Sequence, residues 1–274
     1  MKKHLSNAYL VLIFGILYIP ILTLILFSFN SANSTANFEG ISLRWYIELF
    51  NSPDAFEALR NSLILAALSS IIATVIGTAA AEGIYKMKSK IAKATITSVT
   101  NIPMMNPDIV TGMSMMLFFV AVAGMLSIEY ESIGFTAMLI SHVTFGLPYV
   151  ILSVLPRITE LGDSLSEAAL DLGCTPIQAF FKVKLPNIMP GVISGMIMAF
   201  TLSLDDFVIS YFVGSSNFQT LPLLIYSMTK KKVTPDMYAL STLIIVTIFV
   251  LLLISNLKRD EGTVKKKKKG VKVK

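Results

Sequence analysis

Long apolar runs separated by short polar segments make up most of this sequence. Each run is close to the ~20 residues that an α-helix needs to cross the hydrocarbon core of a bilayer. The third run is too long for one straight helix, and Pro103 and Pro107 are predicted to interrupt it. The pattern predicts six membrane-spanning helices, near residues 8–29, 62–84, 95–123, 134–156, 188–213 and 238–257.

The composition indicates an all-α integral membrane protein. Of the 274 residues, 54% are hydrophobic and 15% are charged, and the mean hydropathy is +0.70, whereas soluble domains carry roughly a quarter charged residues. The single cysteine, Cys174, excludes a disulfide within the chain. The first apolar run is too long for a signal peptide and lacks a small-residue cleavage site, so we interpret it as a span. We divide the chain into a transmembrane domain, residues 1–257, and a basic tail, residues 258–274.

The placement of basic residues predicts the orientation. If the N-terminus is cytoplasmic, 18 of the 23 Lys and Arg residues lie on the cytoplasmic side and five on the other, as the positive-inside rule requires. Both termini and the loop at residues 157–187 are therefore predicted to face the cytoplasm. The tail at residues 258–274 is predicted to be disordered and to lie near anionic lipid head groups rather than to bind nucleic acid.

The loop at residues 157–187 carries two predicted helix starts. Ser164 precedes Glu167 by three residues, and Thr175 precedes Gln178 by three. Each pair fits a capping box, in which the hydroxyl and the longer side chain satisfy backbone N–H groups at a helix N-terminus. Two short capped helices are more than a connector between membrane spans needs.

Helix ends are predicted in the same loop. Pro176 fits the first position of the second helix, and Gly173 fits the left-handed residue that commonly follows a helix. Leu185 precedes Pro186, and the residue before a proline is disfavoured in the helical region, so the second helix is predicted to end there. The loop is thus predicted to be a rigid helix pair joined by a tight turn at Gly173.

The predicted surface of this loop suits docking of another protein. Ala168 and Ala169 are small enough to allow close approach of a partner, and Phe180 and Phe181 are predicted to anchor the loop to the membrane domain. A rigid docking loop is typical of a membrane protein that a partner drives.

Carboxylates within the predicted spans are candidates for a cation pathway. Charged groups at membrane depth are costly and usually face a cavity or a partner. Asp205 and Asp206 lie toward the outer end of the fifth span, where they either line a pathway or reach interfacial water. Tyr211 and Phe207 nearby offer cation–π contact to an amine. Asp108 either caps the helix that it begins or lines the pathway too.

Three further residues are predicted to contribute to helix packing rather than to transport or proton transfer. We interpret His142 as a hydrogen-bonded packing residue rather than a proton relay. Gly191 and Gly195 form a small-xxx-small pair, which indicates a close approach between helices.

No sequence motif indicates an enzyme. The chain contains no H-E-x-x-H zinc motif, no G-x-S-x-G motif and only two histidines. It also lacks a G-x-x-x-x-G-K-[ST] phosphate loop, so ATP hydrolysis of that kind requires another chain. We expect a non-catalytic protein that binds no cofactor itself. The alternative to a membrane protein driven by a partner is an ATP-independent secondary carrier.

The segment EAALDLG, followed by nine residues and then by VKLP, is a more specific signal. It resembles the EAA signature of permease subunits in bacterial ATP-binding-cassette importers, which runs E-A-A, three residues, G, nine residues, I-x-L-P. Val183 replaces the usual isoleucine, which is a conservative difference. In that family the loop is a coupling-helix pair that inserts into a cleft on the ATPase. The resemblance implies an ATPase-coupling role for Glu167, Ala168, Ala169, Gly173, Leu185 and Pro186.

The resemblance extends through most of residues 8–257. It implies the MetI-like importer permease fold with six transmembrane helices in a bacterial cell membrane. It also implies import of spermidine and putrescine by alternating access. The segments similar to the second permease subunit of spermidine/putrescine importers are residues 18–30, 101–114, 141–150 and 199–213.

The resemblance further implies partners. They are a second permease subunit in a heterodimer, two ATPase subunits that use Mg-ATP, and an extracytoplasmic solute-binding receptor. The alternative within the same importer class is another cargo, such as ferric iron, an amino acid or an opine. Lys230, Lys231 and Lys232 fall on the predicted outer side and depart from the pattern, and the sequence offers no physical account of them beyond docking to a receptor.

Overall fold

The computed structural model describes residues 2–32, 37–215, 218–230, 235–250 and 253. This part of the chain is helical, apart from loops and an isolated antiparallel bridge between Asn30 and Ile41. A π-helical segment, Phe180–Lys184, joins two of the helices. The α-helices are α1 (Lys2–Ser28), α2 (Arg44–Asn51), α3 (Pro53–Lys86), α4 (Lys90–Met105), α5 (Asp108–Leu126), α6 (Tyr130–Leu161), α7 (Ser164–Asp171), α8 (Pro176–Ala179), α9 (Leu185–Leu204), α10 (Val208–Val213), α11 (Leu221–Thr229) and α12 (Pro235–Val250).

Length and apolar composition confirm five of the six predicted membrane spans. Among the described residues, five helical stretches are long and apolar enough to cross a membrane, and α12 is a shorter apolar helix. Most of residues 251–257 at the end of the sixth predicted span lie outside the described residues, as do Lys231, Lys232 and the tail at residues 258–274. The five long stretches are Tyr9–Ser28, Pro53–Lys86, Asp108–Leu126, Tyr130–Leu161 and Pro176–Leu204.

The third predicted run is divided, as expected, but at one proline only. The break between α4 and α5 lies at Asn106 and Pro107. The interruption predicted at Pro103 is wrong, because this residue lies within α4. Pro103 stands two residues before the end of α4, so few helical hydrogen bonds follow the one that it removes.

The fifth predicted run contains a break that the apolar pattern did not predict. Residues 205–207 separate α9 from α10, so the predicted single span at residues 188–213 consists of two helices. Apolar residues lie on both sides of the break, so hydropathy averaged over the whole run gives no signal of it. The break places Asp205 and Asp206 on non-helical backbone within an apolar region.

The described residues form two compact units. One contains those up to Leu59 together with Leu221–Phe249, and the other contains Arg60–Thr220. In the first unit, α2 buries Trp45 and Leu49 and exposes Ile47 and Phe50. Such a short helix with two contrasting faces fits an interfacial position.

The second unit is built around tight packing of α6 against α9. A Cβ at Gly191 would stand 2.8 Å from the backbone oxygen of Ser153, and a Cβ at Gly195 would stand 3.0 Å from Cα of Val150. These distances confirm the predicted close approach at the glycine pair, since a Cβ would not fit at Gly191 and would be tightly crowded at Gly195. Val150 also packs against Gly77 of α3, so α3, α6 and α9 share one core.

Candidate functional site

The second helix start in the loop at residues 157–187 is confirmed. The N–H of Gln178 donates to Oγ1 of Thr175 at 3.3 Å, and the N–H of Thr175 donates to Oε1 of Gln178 at 3.1 Å. Pro176 occupies the first turn of α8, where its missing N–H costs no helical hydrogen bond. The side chain of each residue accepts a hydrogen bond from the backbone N–H of the other, and this reciprocal pair fixes the residue at which α8 starts.

The first predicted capping box, at Ser164 and Glu167, is wrong. α7 starts one residue earlier, with Asp163 as its N-cap, and the N–H of Glu167 donates to the backbone oxygen of Asp163 at 2.9 Å. Asp163 has helical dihedral angles, φ −98° and ψ −17°, whereas a capping side chain reaches back from an extended residue. The carboxylate of Glu167 is therefore exposed on α7 rather than used in a cap.

The turn after α7 has the geometry predicted for Gly173. Its φ is +86°, in the left-handed region that favours glycine. The N–H of Gly173 donates to the oxygen of Leu170, and the N–H of Cys174 donates to the oxygen of Ala169. This pair of bonds is a Schellman motif. No atom lies within 4 Å of a Cβ built at Gly173, so the requirement for glycine comes from the backbone conformation alone.

The helix end predicted at Leu185 and Pro186 is wrong. The chain passes from α8 through the π-helical segment directly into α9, and Pro186 lies in the first turn of α9. The N–H of Leu185 donates to the oxygen of Phe180, five residues earlier. With this wider turn the helical backbone continues past the proline, so α8 in the loop is joined to the membrane helix α9 without a break.

The exposed surface of the loop differs from the predicted one at Ala169. Glu167 and Ala168 are exposed, whereas Ala169 is 6% exposed and packs inward, so its predicted place on the docking surface is wrong. Leu172 and Ile177 are exposed on either side of the turn. The sequence interpretation missed them, although apolar residues beside a capped polar turn are a usable signal of a docking surface.

A cavity of about 510 Å³ opens between this loop and the end of α3. Its lining combines polar and apolar side chains and includes charges of both signs. The residues lining it are Glu82, Tyr85, Lys86, Asp163, Ser166, Glu167, Leu170, Pro176, Ala179, Phe180 and Lys184.

Asp206 has a structural task at the helix break. Its carboxylate accepts hydrogen bonds from the N–H groups of Ile209 at 3.3 Å and Ser210 at 2.8 Å, so it caps the start of α10. Its side chain is 7% exposed and lies 3.5 Å from Nε2 of His142. Asp206 therefore faces the interior of the helix bundle.

His142 is a hydrogen-bonded packing residue, as predicted. Its Nδ1 lies 2.7 Å from Oγ of Ser203, and its Nε2 lies 3.1 Å from Oγ of Ser210. Ser69 of α3 donates to Ser203 at 3.0 Å. This buried polar chain links α3, α6, α9 and α10 around the break.

The neighbouring Asp205 is exposed, as are Asp108 and Tyr211. Gly112 lies one turn after Asp108 and packs against Val208 and Phe212 of α10. Asp205 lies about one turn before Val208, so the breaks before α5 and before α10 lie at the same end of this helix contact. The ring of Tyr211 lies 5.4 Å from that of Phe207 in the break. The structure thus separates an exposed carboxylate, Asp205, from the inward-facing one beside it.

Comparisons with known proteins identify the family to which this chain is similar. The family described as "Binding-protein-dependent transport system inner membrane component" matches residues 73–259. The chain is 36% identical to the spermidine/putrescine transport system permease protein PotC of Haemophilus influenzae, over 93% of this chain and 96% of that protein. It is 39% identical to the putrescine transport system permease protein PotI of Escherichia coli K12, over 86% of this chain and 84% of that protein.

A solved structure shares the fold. A chain of a bacterial ABC transporter involved in the import of the acidic polysaccharide alginate superimposes with a TM-score of 0.75. The match covers 95% of this chain and 96% of the other, at 18% sequence identity. The likeness at this identity concerns the fold alone, since the same helical scaffold hosts different cargoes.

Proposed function

This chain belongs to the family of binding-protein-dependent transport system inner membrane components, and from that membership we propose that it is the permease subunit through which an ATP-driven importer brings polyamines into the cytoplasm. The observation that carries the choice of cargo is the identity of 36% to 39% with polyamine permeases over most of the chain. Spermidine and putrescine are the cargoes that these relatives' names give. Glu167, Ala168, Gly173, Leu185 and Pro186 form the loop that engages the ATPase, and the inward-facing Ala169 lets α7 pack closely.

The proposed complex contains further chains. A second permease subunit completes the membrane pathway, two ATPase subunits hydrolyse Mg-ATP, and an extracytoplasmic receptor delivers the cargo. The sequence of this chain contains no phosphate-binding loop of the G-x-x-x-x-G-K-[ST] type, so the hydrolysis belongs to the partner. The continuous path from α8 through the π-helical segment into α9 supports transmission of the ATPase movement into the membrane.

The proposed cargo path involves Asp108, Asp205, Asp206 and Tyr211. Amines entering a membrane pathway need compensating negative charge or π faces. Asp205 and Asp108 are exposed at the same end of the contact between α5 and α10, and they supply charge to the path. Asp206 borders the path from within the bundle. By capping α10 it stabilises the helix break in which Asp205 is exposed.

The proposed orientation has both termini and the loop at residues 157–187 in the cytoplasm, as the positive-inside rule indicates. In a Cys174→Ser background, a cysteine at Glu39 is expected to react with an impermeant maleimide in intact cells. A cysteine at the exposed Leu172 is expected to react only after permeabilisation. Labelling of the cysteine at position 172 in intact cells would show that the orientation is the opposite of the proposed one.

The function is tested on the assembled transporter. The chain is co-expressed with its ATPase, second permease and receptor, purified, and reconstituted in vesicles with ATP on the cytoplasmic side. We expect co-purification with the ATPase and ATP-dependent uptake of labelled putrescine and spermidine. Uptake by the chain without an ATPase would indicate a secondary carrier, and ATP-dependent uptake of ferric iron or amino acids in place of polyamines would refute the cargo.

A further inference from the structure

An ion pair ties the π-helical segment to a membrane helix. Lys184 ends this segment, and its Nζ lies 2.9 Å and 2.8 Å from Oε1 and Oε2 of Glu82 on α3. The same ammonium lies 4.7 Å from the ring centroid of Tyr85. The two charged residues stand 102 positions apart in the sequence, so the contact joins separate elements.

The burial of this pair needs a reason other than stability. The side chain of Lys184 is 3% exposed and that of Glu82 is 13% exposed. Removing two charges from water is unfavourable, and well-packed apolar side chains at such positions are often at least as stabilising. Apolar contacts, however, are non-directional. The charge-assisted hydrogen bond to Oε1 and the short ion-pair contact to Oε2 are directional, and they fix the register of the π-helical segment against α3.

We propose that the ion pair of Lys184 and Glu82 is a positioning link that transmits movement of the loop at residues 157–187 to α3 during transport. The proposal rests on the proposed coupling of this loop to an ATPase. Movement of α8 reaches α9 through the continuous backbone. The ion pair passes the same movement to a second helix, α3. Because α3 packs on α6 at Gly77 and Val150, the link moves the shared core as one body.

Lys86 offers a matched control on the same carboxylate. Its Nζ lies 3.0 Å from Oε1 of Glu82, but its side chain is 68% exposed and both residues belong to α3. Because the ammonium of Lys86 stays exposed to water, its attraction to a carboxylate within the same helix contributes little to stability. Removing Lys86 takes away a cation beside Glu82 without breaking the contact between the two elements.

The test measures the number of polyamine molecules transported per ATP hydrolysed by the full complex in vesicles. The double variant Glu82→Leu with Lys184→Met is expected to assemble and hydrolyse ATP, and to lower this ratio by about fivefold or more, in the range of typical coupling between sites. The exchanged pair, Glu82→Lys with Lys184→Glu, is expected to restore most of the ratio. Lys86→Ala is expected to leave it unchanged.

A merely structural role gives a different result. It lowers the yield or thermal stability of the complex and leaves the ratio of the assembled fraction unchanged, and this outcome overturns the proposal. Should the double variant fail to assemble, Glu82→Gln provides the same readout. An unchanged ratio in Glu82→Gln overturns the link, and a lowered ratio that the exchanged pair restores supports it. Failure of the unmodified complex to transport polyamines would instead contradict the proposed function, so the two failures are distinguishable.

Discussion

Replacing Glu167 by lysine is expected to abolish most of the stimulation of ATP hydrolysis by receptor-bound polyamine. Glu167 lies on the exposed face of α7 and its side chain is not used as a cap. If this carboxylate meets a cation on the ATPase, Glu167→Lys places two positive charges together at a desolvated contact, and such substitutions cost several kcal/mol of binding. We expect the stimulated rate to fall by about tenfold or more, which corresponds to roughly 1.4 kcal/mol.

The measurement is ATPase activity of the purified complex, with and without loaded receptor. Glu160→Lys is the matched control, because Glu160 is an exposed carboxylate of the same loop that pairs with Arg157 at 3.0 Å. An exposed pair of this kind contributes little, so its loss is expected to leave the stimulation intact. Full stimulation in Glu167→Lys, with normal assembly, would show that this residue does not dock on the ATPase.

The parts of the loop that could be predicted are those whose partners are close in sequence. Thr175 and Gln178 form the expected box, and Gly173 adopts the expected left-handed conformation. Both depend on backbone groups within a few residues, which a short motif specifies. The helix end expected at Pro186 is wrong, because the π-helical segment carries the chain into the first turn of α9, where proline is tolerated.

The parts that could not be predicted depend on partners distant in the sequence. Nothing near Lys184 indicates that its ammonium meets Glu82, and nothing near Asp206 indicates His142. Asp205 and Asp206 are identical side chains in adjacent positions, so composition cannot separate them. The helix break separates them, because the carboxylate of Asp206 reaches forward to cap α10 and that of Asp205 stays exposed. Their different surroundings give different expectations for the two residues.

Neutralising Asp205 is expected to lower the rate of polyamine uptake by about tenfold, as loss of a charged hydrogen-bond partner worth roughly 1.5 kcal/mol would do. An anion importer would favour cations in its path, whereas an exposed carboxylate in an apolar region favours amines. Asp205→Asn keeps the shape of the side chain and does not touch the cap of α10. Assembly and basal ATP hydrolysis are therefore expected to stay normal, while uptake of labelled spermidine and putrescine into vesicles falls.

Variants at Asp206 distinguish charge from structure at the same break. Asp206→Asn keeps an oxygen acceptor for the N–H of Ser210, so we expect an assembled complex with a smaller loss of uptake than in Asp205→Asn. Asp206→Ala removes the cap, which costs about 1 kcal/mol, and is expected to lower the thermal stability of the complex. Glu129→Gln is the control, because Glu129 is an exposed carboxylate that makes no side-chain cap at the start of α6. If the double variant Asp205→Asn with Asp206→Asn takes up polyamines at the unmodified rate, neither carboxylate lines the cargo path. Asp205 would then be an interfacial residue and Asp206 a capping residue.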